Sequence, residues 1–139
     1  MTISTYRQWE ITSELSDVRR HLRGHATRSG LVGARLDDLL MAANEAASNV
    51  LEHGGGHGIV ASWYDEEFLT VEIRDTAGEL TSADTHRRRP ARTATRGYGL
   101  WLMGQLCDHF TIHQQRGSSY VRLVMDLRAG SPHSWQACA

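Results

Sequence analysis

The spacing of hydrophobic positions changes several times along the chain, and each change marks a predicted element. Residues 6–11 read as a short strand. Thr12, Ser13 and Ser16 then offer helix caps before Leu15, Val18, Leu22 and Ala26 recur at helical spacing, with Gly30 as the stop. A second helix over 35–53 gathers Leu36, Leu39, Leu40, Ala43, Ala47, Val50 and Leu51 on one face and ends in Gly54, Gly55 and Gly56. Two strands over 59–64 and 68–75 flank a turn at Asp65, Glu66 and Glu67, the second alternating Leu69, Val71 and Ile73 against Thr70, Glu72 and Arg74.

Over 78–96 the periodicity disappears into Ser, Thr, Asp and five arginines around Pro90, which predicts a long mobile connection. After Gly97, Tyr98 and Gly99 a helix runs through Leu100, Met103, Leu106 and Cys107, and strands follow at 110–114 and 120–127. Residues 128–139 read as a frayed tail. The order does not alternate strand and helix as a doubly wound parallel sheet would. It predicts a single α+β domain over 1–139, a two-layer sandwich of a mostly antiparallel sheet with helices on one face.

Composition narrows the function. With 139 residues, 40% of them hydrophobic, the chain can bury one core without staples. A formal charge of −1 gives no field to attract nucleic acid or an anionic membrane. Cys107 and Cys138 are too few for a disulfide framework, and no signal-like or membrane-spanning run occurs, so a cytoplasmic protein with reduced thiols is expected. Lysine is absent, which excludes the lysine-dependent phosphate loop and Schiff-base chemistry.

Three local signals carry candidate chemistry. On the second helix Glu45, Asn49 and His53 form a polar stripe at about 180–260° from Leu36, counting 100° per residue. Taken alone, this is what any amphipathic helix shows opposite its core, although Ala42 and Ala46 would let a ligand approach the backbone. Asp75 ends a strand beside Thr76, Ala77 and Gly78, where a carboxylate serves a turn or accepts a hydrogen bond from a flat ligand. Arg96, Gly97, Tyr98, Gly99 and Leu100 open a helix whose N–H groups could face a phosphate. Metal sets at His53 with His57, or His21 with His25, lack completing ligands.

In combination and order these signals resemble the anti-sigma-factor serine kinase branch of the GHKL (histidine kinase-like) ATPases. Residues 40–54, LMAANEAASNVLEHG, resemble its N box; residues 75–80, DTAGEL, its G1 box; and residues 96–103, RGYGLWLM, its G2 box, followed by the branch's Leu-Cys-Asp helix end at 106–108. The resemblance covers residues 6–127. It implies that ATP and Mg²⁺ are bound, with Asn49 as a metal ligand and His53 beside it. Asp75 would accept from the adenine amino group and Gly78 would admit the base. Arg96, Gly97, Tyr98, Gly99 and Leu100 would wrap the phosphates beneath the arginine-rich lid, and Glu45 would act as general base on a substrate serine. The sequence departs from the G1 pattern D-x-G-x-G, carrying Ala77 and Glu79 at its glycine positions. The implied function is an anti-sigma factor that sequesters a sigma factor and phosphorylates an antagonist protein on serine. The alternative is an ATP-binding interaction module without phosphoryl transfer. The same resemblance implies a homodimer through the first strand and helix.

Overall fold

A computed structural model describes residues 5–53, 57–75, 95–115 and 118–129. The elements run β1 (Arg7–Ile11), α1 (Leu15–Arg28), α2 (Gly33–His53), β2 (Gly58–Tyr64), β3 (Phe68–Asp75), α3 (Thr95–Leu106), β4 (His109–Gln115) and β5 (Ser118–Asp126), closed by a 3₁₀ turn at Leu127–Ala129. The strands form one sheet in the order β1-β2-β3-β5-β4. Every neighbouring pair is antiparallel. The predicted α+β sandwich is therefore the observed fold. Of the connection predicted over 78–96, the part before Thr95 lies outside the described residues, as does the tail beyond Ala129.

Local chemistry fixes the ends of α1. Neither Ser13 nor Ser16 caps it; the first turn starts at Glu14 without a side-chain cap, and Thr12 Oγ1 instead accepts from the Glu14 N–H at 3.2 Å. Its C-terminus does follow the expected glycine stop. Gly30 takes φ +102°, and the N–H groups of Gly30 and Leu31 return to the carbonyls of Thr27 and Ala26 at 3.0 and 3.2 Å. That paired return needs a left-handed residue, which glycine supplies without a Cβ clash.

The core lies between the helices and one sheet face. Leu69, Val71 and Ile73 of β3 and Val121, Leu123 and Met125 of β5 project from alternate positions into it, against Leu22, Leu39, Ala43, Val50 and Met103 of the helices. A buried ion pair locks the end where α2 starts. Arg35 donates to Asp108 Oδ2 and to the Asp126 carbonyl, each at 2.7 Å, while Asp126 N–H donates to the same Asp108 oxygen at 2.6 Å. The Leu-Cys-Asp helix end thus has a structural task, tying α3 to α2 and β5. Cys107 is buried beside it, and its thiol is pushed up to about 12, chiefly by burial.

The opposite sheet face departs from simple alternation. Glu72 belongs to the outward set, yet it is only 1% exposed. Arg122 donates to its Oε2 at 2.6 Å and Arg74 Nε donates to its Oε1, so two guanidiniums roof the carboxylate. At the end of the sheet where β2 begins, space is tight. A Cβ on Gly58 would lie 2.3 Å from the Arg74 carbonyl oxygen and 2.9 Å from Val50 Cγ1, so no larger residue fits without movement.

Candidate functional site

The topology brings the three sequence signals to one end of the molecule. Gly58, Asp75 and Ser119 are register partners across β2, β3 and β5, so this edge holds the start of β2, the end of β3 and the start of β5. Helix α2 ends at His53, a few residues before Gly58, and therefore delivers its C-terminal turns to the same edge. Helix α3 leads into β4, whose first residue pairs with Val124 at the far edge. It packs along α2, so its N-terminus runs back from that edge toward the end of the sheet where α2 finishes.

Asn49 is not on a solvated stripe. Asn44 accepts from Arg19 of α1 at 2.6 Å, and Asp37 lies 3.8 Å from Arg23 of α1, so these residues mark the flank of α2 that faces α1. Ala42, Ala46 and Asn49 lie on the other flank, about 120–180° around the helix, turned toward α3. Ala42 and Ala46 are fully buried and Asn49 is 6% exposed. The reason is the position of α2 between two helices as well as over the sheet, which widens its buried arc well beyond one stripe. Methyl side chains there let neighbouring backbone come close.

Burial makes the amide of Asn49 chemically conspicuous. Its Nδ2 has no hydrogen-bond partner among the described residues. An unpaired buried amide costs about 1–3 kcal/mol. A phosphate oxygen would satisfy it, and with the amide turned over its Oδ1 suits a hard cation that takes oxygen ligands. The residues present thus fit a magnesium–phosphate group. Glu45, one turn earlier on α2, is half-buried at the rim of the same flank.

Asp75 is 2% exposed and stands on the helix-facing side of β3, in line with Val71 and Ile73. Ser119 donates to its Oδ2 at 2.8 Å. Ser119 was not legible as a site residue, because its tie to Asp75 spans 44 positions and exists only through strand register. Gly78 lies outside the described residues, along with the departures at Ala77 and Glu79. His53 closes α2.

Arg96, Gly97, Tyr98, Gly99 and Leu100 differ from expectation in one respect. The helix begins at Thr95, so both glycines sit inside its opening turns and do not form a turn ahead of it. The N–H groups of a helix's first four residues, here 95–98, have no intrahelical acceptor, and the helix dipole places positive potential on them. An anion-binding end is retained in either arrangement.

Of the two alternative metal pairs, His21 with His25 is engaged in other contacts. His21 stacks on Trp9 with centroids 5.7 Å apart, whereas His25 is buried and hydrogen-bonded to Ser62 and Thr5. Among the described residues no three His, Cys, Asp or Glu side chains group as metal ligands. No described helix is long and apolar enough to cross a membrane.

Comparison with known protein families identifies the family of the chain. A family description, the histidine kinase-like ATPase domain, matches residues 10–125, a span that contains α2, Asp75 and α3. Comparison with curated proteins gave no match. A match over most of the chain, together with the antiparallel sheet under one helical layer, makes this chain a member of the histidine kinase-like ATPase domain family, a family of ATP-binding domains.

Proposed function

We propose that the chain is an ATP-dependent protein serine kinase that acts as an anti-sigma factor, holding a sigma factor and phosphorylating an antagonist protein. The observation that carries the reading is the buried Asn49 side chain, whose Nδ2 has no hydrogen-bond partner among the described residues, one helical turn from the half-buried carboxylate of Glu45 on the flank of α2 turned toward α3. In this reading Asp75 accepts a hydrogen bond from the adenine amino group, and Ser119 holds its carboxylate in place. Asn49 and the opening N–H groups of α3 hold the phosphates; bound magnesium supplies charge neutralisation there. Arg96, Tyr98 and Leu100 border the phosphates, Gly78 admits the base, and His53 lies beside Asn49.

Glu45 accepts the proton of the substrate serine hydroxyl. The serine oxygen then bonds to the γ-phosphorus as the bond from phosphorus to the β–γ bridging oxygen breaks, and ADP leaves. The protein partners of this reading are the sigma factor, the antagonist and a second copy of the chain through β1 and α1, in the cytoplasm.

The test is Glu45→Gln with radiolabelled ATP and the antagonist. Removal of a general base costs about 10²- to 10⁴-fold in rate while leaving nucleotide contacts in place, so this variant is expected to bind ATP and transfer little phosphate. Wild-type protein that binds ATP yet transfers none would favour the interaction-module reading. Transfer at the wild-type rate in Glu45→Gln would remove Glu45 from the mechanism.

A further inference from the structure

The sheet face turned away from the helices has an unusual surface. A solvated antiparallel face is ordinarily polar, but here Tyr6, Trp63, Phe68 and Tyr120 share it with Arg74 and Arg122. Tyr6 and Trp63 stack with centroids 5.8 Å apart. The Arg122 guanidinium lies 5.7 Å from the Trp63 centroid and 5.3 Å from that of Tyr120, and Arg74 lies 5.9 Å from Tyr120. Tryptophan, tyrosine and arginine in one cluster are the composition of interface hot spots.

Glu72 organises the cluster. Its buried carboxylate holds Arg122 through both Nε and Nη2, at 3.2 and 2.6 Å, and Arg74 through Nε. Two cations share one anion, which leaves a surplus positive charge. The outer nitrogens of both guanidiniums carry no hydrogen-bond partner among the described residues, and Arg74 is 59% exposed. Rotamers already fixed by stacking and by Glu72 lose little freedom on binding.

Two hollows flank the Trp63–Arg122 contact. One, of about 380 Å³, is lined by Thr5, Tyr6, Glu72 and Arg74 besides that pair. The other, of about 390 Å³, adds Phe68, Thr70, Val124 and His109 to the pair, with Asp65 at its rim. The first offers unused guanidinium donors. The second is mainly apolar, and the Asp65 carboxylate would repel an acid there.

We propose that this face is a docking site for a short acidic segment of a protein partner, with a carboxylate on Arg74 and Arg122 and an adjacent aromatic or aliphatic side chain beside Trp63 and Phe68. Charge complementarity selects the occupant. One surplus charge, with Asp65 on the rim, suits a single carboxylate and not a polyanion such as RNA, which needs many neutralised phosphates. The surface is distinct from the Asp75 site, because Glu72 and Arg74 project from the other side of the sheet, so this inference does not depend on the kinase reading.

The experiment selects a library of random displayed peptides on the full chain, then measures the selected peptides by fluorescence anisotropy and by amide shift mapping. Enrichment of Asp or Glu next to Trp, Phe or Leu is expected, with shifts on β2, β3 and β5 and no competition from ATP. Arg74→Gln, which leaves Arg122 on Glu72, should weaken binding at least about tenfold, the lower limit for a charge-assisted hydrogen bond. Trp63→Thr, which keeps a strand-forming residue, should weaken it independently. The proposal is overturned by peptides without acidic enrichment, by binding that Arg74→Gln and Trp63→Thr leave unchanged, or by displacement with ATP. Tighter binding of polyuridine to the same face, or self-association through it by light scattering, would overturn it as well.

Discussion

Ser119 and Asp75 face each other across the β3–β5 pair, the serine hydroxyl donating to the carboxylate at 2.8 Å where both side chains are almost completely buried. The carboxylate is thereby fixed in direction at the edge where α2 ends and α3 begins. In the proposed function this fixed direction is what allows one hydrogen bond to select an adenine amino group.

Ser119→Ala is expected to weaken ATP by a modest factor, about 2- to 12-fold, as loss of a neutral hydrogen bond worth about 0.5–1.5 kcal/mol implies. Isothermal calorimetry reads it directly. Affinity equal to wild type would mean that Asp75 needs no help from the neighbouring strand.

The pair also shows what could be read from the chain alone. The helix over α2 was legible because its apolar positions recur over many turns, and Asp75 because a strand pattern stops on it. Ser119 was not, since a contact set by strand register over long sequence separation leaves no local pattern. Strand alternation puts Glu72 on the outward side, where it stands, but its burial depends on Arg122 from another strand. A helical wheel assumes one buried face and so puts Asn49 opposite the core, whereas α2 is covered by α1, α3 and the sheet. The glycines put the expected start of α3 after Gly99, but their preference for turns is only about 1 kcal/mol each and helix packing overrides it, so α3 starts at Thr95.

The Arg35–Asp108 pair predicts a large stability effect. Asp108→Ala would leave the Arg35 guanidinium buried without its counter-charge, a change that costs about 3–5 kcal/mol. For a domain of this size the thermal midpoint should fall on the order of 10 °C. Scanning calorimetry on the apoprotein tests it, and a midpoint within a degree of wild type would contradict the role given to this pair.

His25 predicts an acid-sensitive fold. Its Nε2 donates to the Thr5 carbonyl at 2.6 Å, so its Nδ1 is the acceptor for Ser62 Oγ at 2.9 Å and the buried ring is neutral. Burial lowers its pKa below 6.5, and the charges of Arg28 and Arg7 act in the same direction, against the opposing hydrogen bond to Thr5. The unfolded chain therefore takes up a proton before the folded one does. Stability falls as pH drops below about 6.5, by no more than about 1.4 kcal/mol per pH unit from this group. Urea midpoints between pH 7.5 and 5.5 should decline in wild type and decline less in His25→Gln. Identical slopes would remove His25 as the cause.

The most direct measurement is a calorimetric titration of MgATP into wild-type protein and into Asp75→Asn, with thermal midpoints recorded for both. One site per chain is expected in the wild type. In the variant, loss of a charge-assisted hydrogen bond worth about 1.5–3 kcal/mol should weaken binding about 10- to 150-fold while the protein stays folded. Equal affinity in a folded Asp75→Asn protein would contradict the placement of adenine at the β3 edge.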